Sequence, residues 1–133
     1  MKSILNCVAE SVMDLINDMN NFAPIRRGAL GTDSGLVCEV APSNVDAVFL
    51  DKNSYIFMDL TLNGKNKNLE LLSDTMNNIS DALTRMKEYP SGDGWEIVDI
   101  TAGSPPEPTV IGREDNGEWL MASSVIIKYY RKD

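Results

Sequence analysis

The stretch YIFMDLTLNGKNKNLELLSDTMNNISDALTRMK, residues 55–87, decides the fold class. Its first nine residues alternate. Ile56, Met58, Leu60 and Leu62 fall on one side of an extended strand; Tyr55, Phe57, Asp59, Thr61 and Asn63 fall on the other. Gly64 and the polar run Lys65-Asn66-Lys67 end that period. From Leu69 the apolar spacing changes to three and four, and Leu72, Met76, Ile79, Leu83 and Met86 form the stripe of a helix reaching Lys87. Asn68 is placed to cap it, because its side-chain oxygen can accept from a free N–H of the first turn. The helix is too short for the repeated heptads of a coiled coil, so its stripe is a core face against a sheet. The apolar side of the strand is the surface that should receive helices.

Upstream, Ile4, Leu5, Val8, Val12, Leu15, Ile16 and Met19 predict an amphipathic helix over Lys2–Met19, which Asn20-Asn21 would stop. Phe22–Ser34 is broken by Pro24, Gly28, Gly31 and Asp33, which predicts a long mobile loop carrying the pair Arg26-Arg27. Leu36–Val40 is a short strand. Val45–Leu50 is a second short strand or a buried connection, and Asp51-Lys52-Asn53 a turn. Downstream, Tyr89–Gly94 terminates the second helix, and Trp95–Thr101 returns to strand periodicity. Ala102–Pro108, with three prolines, is a loop or a strand edge. Thr109–Ile111 is a short strand. Glu114–Gly117 is a hairpin turn whose Asn-Gly pair suggests type I′. Glu118–Tyr130 is a strand long enough to cross the sheet centre. Helix, strands, helix, strands gives no regular βαβ alternation. The expectation is one α+β domain over residues 1–133, with two helices packed on one face of a mainly antiparallel β-sheet.

Composition removes several function classes. The chain has 133 residues, 43% hydrophobic and 24% charged, which suits a folded domain with its own core. Its 20 acidic and 12 basic residues leave a net charge of -8, which opposes non-specific binding to nucleic-acid phosphates. No apolar run approaches a membrane span, and Glu10, Asp14 and Asp18 interrupt what would be the apolar core of a signal peptide. Action in a cytoplasm is expected. Histidine is absent, which removes the commonest acid–base side chain and metal ligand. No GxSxG elbow, P-loop or GxGxxG pattern occurs. Gly28, Gly31 and Gly35 do not lie between a strand and a helix, as a phosphate cradle requires. Asp46, Asp51 and Asp59 lack calcium-loop spacing and read as surface carboxylates, as does the acidic turn at Glu114. Tyr129 and Tyr130 are adjacent and should face opposite sides of their strand, which weakens a base-stacking reading. The two cysteines, Cys7 and Cys38, form no CxxC pair; free buried thiols are expected, with a disulfide between them left open. No enzyme, metal or cofactor is expected.

The order of YIFMDLTLNGKN, LELLSDTMNNISDALTRM, DGWEIVDITAG, SPPEPTVIGRED and NGEWLMASSVIIKYYRK resembles the minor capsid and tail terminator proteins of siphophages and related prophages. The ending PTVIGREDNGEWLMASSVIIKYYR carries most of the likeness: a proline, a short apolar pair, Gly-Arg, an acidic turn with glycine, then an aromatic-rich strand. The resemblance implies a tail-terminator-like fold and a structural virion protein, assembled in the bacterial cytoplasm and resident in the tail or neck. It implies a homo-oligomeric ring, commonly a hexamer, that caps the tail tube protein and meets a head completion or connector protein. DNA would be passing cargo in the lumen, and no membrane is involved.

Such a ring needs heterologous contacts between copies, for which edge strands and loops serve. Candidate contact regions are the Arg26–Asp33 loop, with Arg26, Arg27 and Asp33, the Ser104–Pro108 loop, with Pro105 and Pro106, and the Arg113–Glu118 turn, with Arg113 and Glu114. Each of these residues also reads simply as a solvated loop residue. Two other functional readings stand beside the terminator: a head-side neck connector, and a small acidic monomeric binding module that inhibits a partner or mimics DNA.

Overall fold

The computed structural model describes residues 3–31, 34–48, 54–103 and 107–132, with the backbone alone for 42–48. Along the chain these form α1 (Ile4–Asn17), β1 (Ile25–Arg27), β2 (Gly35–Val48), β3 (Ser54–Asn66), α2 (Leu69–Thr84), β4 (Ser91–Gly92), β5 (Trp95–Ala102), β6 (Thr109–Arg113) and β7 (Trp119–Arg131). The sheet order is β1-β2-β3-β7-β5-β4, and β6 also pairs with β7. All pairings are antiparallel except β1 with β2, so the curled sheet is mixed. The expected α+β class and the central place of the final strand are both observed.

The strand alternation of residues 55–63 builds the core. β3 pairs with β7 from Ser54↔Arg131 to Asn66↔Trp119, which sets Met58 opposite Ile127, Leu60 opposite Val125 and Leu62 opposite Ser123. Opposed residues of an antiparallel pair share a face, and this face is dry: Met58, Leu60, Leu62, Val125 and Ile127 are all fully buried. Val8, Val12 and Ile16 of α1 and Leu72, Met76, Ile79 and Leu83 of α2 complete the same cluster. Each such side chain contributes roughly 1.5–3 kcal/mol by leaving water. At Gly64 the side chains of α2 lie close against the sheet. A Cβ there would stand 2.7 Å from Leu72 Cδ1 and 3.0 Å from Met76 Sδ.

The helix ends show why the elements stop. Ser3 accepts from the Asn6 N–H and Asn68 from the Leu71 N–H, so each helix starts on a side-chain cap. Asn20 takes the left-handed conformation, φ 57°, after α1. α2 ends at Thr84 rather than Lys87. There the Tyr89 hydroxyl donates to the Leu83 carbonyl and replaces the helical partner that carbonyl would otherwise need.

Four sequence expectations need correction. Phe22–Ser34 is not wholly loop, because Ile25 buries its side chain and carries Arg26 and Arg27 into parallel pairing with Val37 and Cys38. Leu36–Val40 and the start of Val45–Leu50 are one strand, running to Val48 through two register shifts. Pro42 fits because the Gly28 N–H donates to the Cys38 carbonyl across the outer edge. By alternation Val40 and Pro42 also turn their main-chain polar groups outward, where a missing donor breaks no bond to β3. The turn after β6 is not type I′. Gly117 is left-handed at φ 90° and Asn116 is not, and the Gly117 N–H donates to the Glu114 carbonyl, so a type I turn is followed by a glycine bulge. Cys7 is half-buried, not buried. The expected turn at Asp51–Asn53 lies outside the described residues.

Two substitutions test this packing. Gly64→Ala should lose about 1–3 kcal/mol in urea denaturation, because the added methyl forces Leu72 and Met76 off their seats. Ser123 sits fully buried under the helices, its hydroxyl without a hydrogen-bond partner among the described residues. Ser123→Ala should raise stability by about 1 kcal/mol in the same assay.

Candidate functional site

At the end of β3 where β7 begins, a lysine is buried. Lys65 is 2% exposed. Its parity on β3 places it on the face away from the helices, opposite Leu120. An isolated buried ammonium is strongly unfavourable unless paired and hydrogen-bonded. Lys65 Nζ donates to the Gly31 carbonyl at 2.9 Å, lies 2.9 Å from Glu114 Oε1 and 3.9 Å from Glu118 Oε1. Glu118, itself 3% exposed, accepts from the Ser34 hydroxyl at 2.7 Å and from Asn116 Nδ2 at 2.8 Å. The Asn116 side chain also receives the Glu118 N–H, which holds the turn in its observed shape. The Ser34 hydrogen bond lowers the Glu118 carboxyl below its ordinary value; Asn116 and the positive field of Lys65 add to that, against burial, which pushes it up.

This charge cluster joins two of the three candidate contact regions. The segment from Arg26 meets the Arg113–Glu118 turn over Lys65, through Gly31 and Ser34. Arg26 and Arg27 are exposed on β1, and Arg27 Nη1 donates to Asn6 Oδ1 at 2.6 Å. Arg113 lies over the Trp119 ring, 4.8 Å from its centroid, and Glu114 is engaged with Lys65. Asp33, Pro105 and Pro106 lie outside the described residues. Pro108 and Glu107 border a shallow groove of about 260 Å³ against α2, lined also by Ser80, Thr84 and Arg85.

Sequence reading missed Lys65, Glu118 and Ser34 as a unit. The one available signal was parity, since β3 alternation continues two residues past the glycine taken as its end.

The sheet face away from the helices carries a second cluster. Lys128 Nζ lies 4.9 Å from the Tyr55 ring centroid and 5.5 Å from that of Phe57, and the Tyr55 and Tyr130 rings are 5.1 Å apart. Tyr129, by contrast, is buried in the core, so the two adjacent tyrosines do face opposite ways. Beside this cluster a concavity of about 790 Å³ runs between Tyr130, Val98 and the segment after α2. Lys87 and Lys132 line it together with Glu88 and Glu96, so its wall carries no net sign of charge.

Cys38 is buried and free, its thiol pushed up to about 11, chiefly by burial. It is therefore neutral and unreactive near neutral pH. Among the described residues no group of three or more Cys, Asp or Glu is placed to hold a metal ion, and no helix is long and apolar enough to cross a membrane. No protein-family model and no curated protein matches the chain.

The depressed Glu118 pKa has a sign that can be measured. Its stabilising contribution is complete above the ordinary value of 4.5 and is lost as pH falls through the lower folded value. In urea denaturation, the advantage of wild type over Glu118→Gln should shrink as pH drops below 4.5. An advantage unchanged in acid would show that the carboxylate is not the stabilising species.

Proposed function

We propose that this protein is a tail terminator of a tailed bacteriophage, a non-enzymatic subunit of a ring that caps the tail tube and joins it to the head. The observation that carries the reading is the ordered ending at residues 109–131, where a short strand, an acidic glycine turn and a long aromatic-rich strand follow one another. The tail-terminator-like fold belongs to the same proposal. In support, β7 occupies the sheet centre, and β1 and β4 end the strand order as short edge strands of the kind that contacts between copies can use. The net charge of -8 suits a lumen through which DNA slides without adhering. The ring would contact itself, the tube protein and a head completion protein, with no cofactor.

Deleting the gene from its phage or prophage and viewing particles by negative-stain electron microscopy tests this. Overlong headless tubes beside full heads are expected. Normal tails joined to heads would overturn the reading in favour of a binding module, and normal tails detached from heads would move the protein to the head side of the neck.

A further inference from the structure

We infer that Asn116 is a site of spontaneous deamidation, and that the acid formed there loosens the charge cluster around Lys65. The inference stands apart from the ring reading and holds whatever the protein assembles with.

The reaction needs only water. The Gly117 main-chain nitrogen attacks Asn116 Cγ and a C–N bond forms. The Cγ–Nδ2 bond breaks, and ammonia leaves with the proton of the attacking N–H. Water then opens the succinimide ring. Addition at Cγ leaves an aspartate, and addition at the main-chain carbonyl leaves an isoaspartyl link. Glycine after asparagine favours ring closure, because it has no Cβ to obstruct the approach.

The sequence holds two such links, Asn63-Gly64 and Asn116-Gly117, and the fold separates them. Asn63 pairs with Val37 and Ala122, and Gly64 with Leu36 and Met121, so this link lies in a strand with a neighbour on each side. The imide has no N–H and bends the chain out of the extended form, so ring closure there must first break the ladder. Asn116 is exposed, and the Gly117 N–H donates to the Glu114 carbonyl within the turn. Glu118 restrains the Asn116 amide at both ends. Its Oε1 accepts from Nδ2 at 2.8 Å, and its N–H donates to Oδ1 at 3.0 Å. These bonds slow the step without stopping it, because a surface turn opens locally while the sheet stays paired.

The product acts on the cluster through the lost amide. Glu118 Oε1 loses the Asn116 donor and faces a carboxylate oxygen instead. Glu114 and Glu118 already share the Lys65 ammonium, at 2.9 and 3.9 Å, and the new charge joins a turn that holds Glu114, Asp115 and Glu118. Ser34 is held by the same Glu118 carboxylate, so the loosening reaches the segment that crosses Lys65.

Peptide mapping by mass spectrometry, on the purified full chain aged at mildly alkaline pH, tests the assignment. In the folded protein the amide-to-acid mass increase should accumulate about tenfold or more faster at Asn116 than at Asn63, since only Asn63 waits on opening of the sheet. In guanidinium chloride the two links should react alike. Aged protein carrying the extra negative charge, isolated by anion exchange, should unfold at lower urea than fresh protein. Asn116→Asp should lower the midpoint in the same way. In a Glu118→Gln background Asn116→Asp should shift the midpoint much less, because the glutamine amide supplies a donor where the glutamate supplies repulsion. Equal rates at the two links in the folded protein, or reaction confined to the denatured sample, would overturn the site. A product as stable as its parent, or an equal shift in the Glu118→Gln background, would overturn its effect on the cluster.

Discussion

Everything in this domain hangs on the pairing of β3 with β7. The two strands run antiparallel over their whole lengths, and their shared parity sorts every side chain between a dry face and an open one. Leu60, Val125, Met58 and Ile127 go under the helices; Phe57, Lys128, Tyr55 and Tyr130 go to the other side. A slip of β7 by one residue would put Lys128 beneath α2 and turn Val125 and Ile127 away from the helices. The rest of the sheet is built outward from this pair. β2 extends it on one side, and β5 and β6 divide the other flank of β7 between them, each with a bulge that fits its short segment to the longer strand.

The parts legible in the sequence were those in which one period governed. Residues 55–63 and the Leu72–Leu83 stripe both read correctly because burial on one face leaves its spacing in the chain. β1 was not legible. Only Ile25 of its three residues is buried, and its pairing depends on Val37 and Cys38 rather than on any local pattern. Pro42 concealed the continuity of β2, because a proline normally argues against a strand and its outer-edge position is a tertiary fact. The Asn-Gly pair suggested the commonest two-residue turn, but Asn116 spends its side chain on Glu118, which holds a different turn.

The charge cluster around Lys65 illustrates a wider limit of periodicity. Lysine after glycine reads as a strand end exposed to water. In the fold, Gly31, Ser34, Glu114 and Glu118 close over it from two distant parts of the chain. Each partner looks like an ordinary loop or turn residue when read locally. Arg26, Arg27, Arg113 and Glu114 were nominated for contacts between copies. Of these, Glu114 is committed within the subunit, Arg113 rests on Trp119, and the two arginines of β1 remain exposed at the lateral edge.

The central position of β7 also sets an order of events during biosynthesis. β7 is the last strand of the domain, yet β3, β5 and β6 all depend on it as a neighbour. While the ribosome is still making residues 119–131, β3 has no partner on that side, and the apolar faces of α1 and α2 have half a floor. The native sheet therefore closes only after the whole domain has left the exit tunnel. Until then its exposed strands are a hazard at high local concentration, as slow non-local pairing generally is.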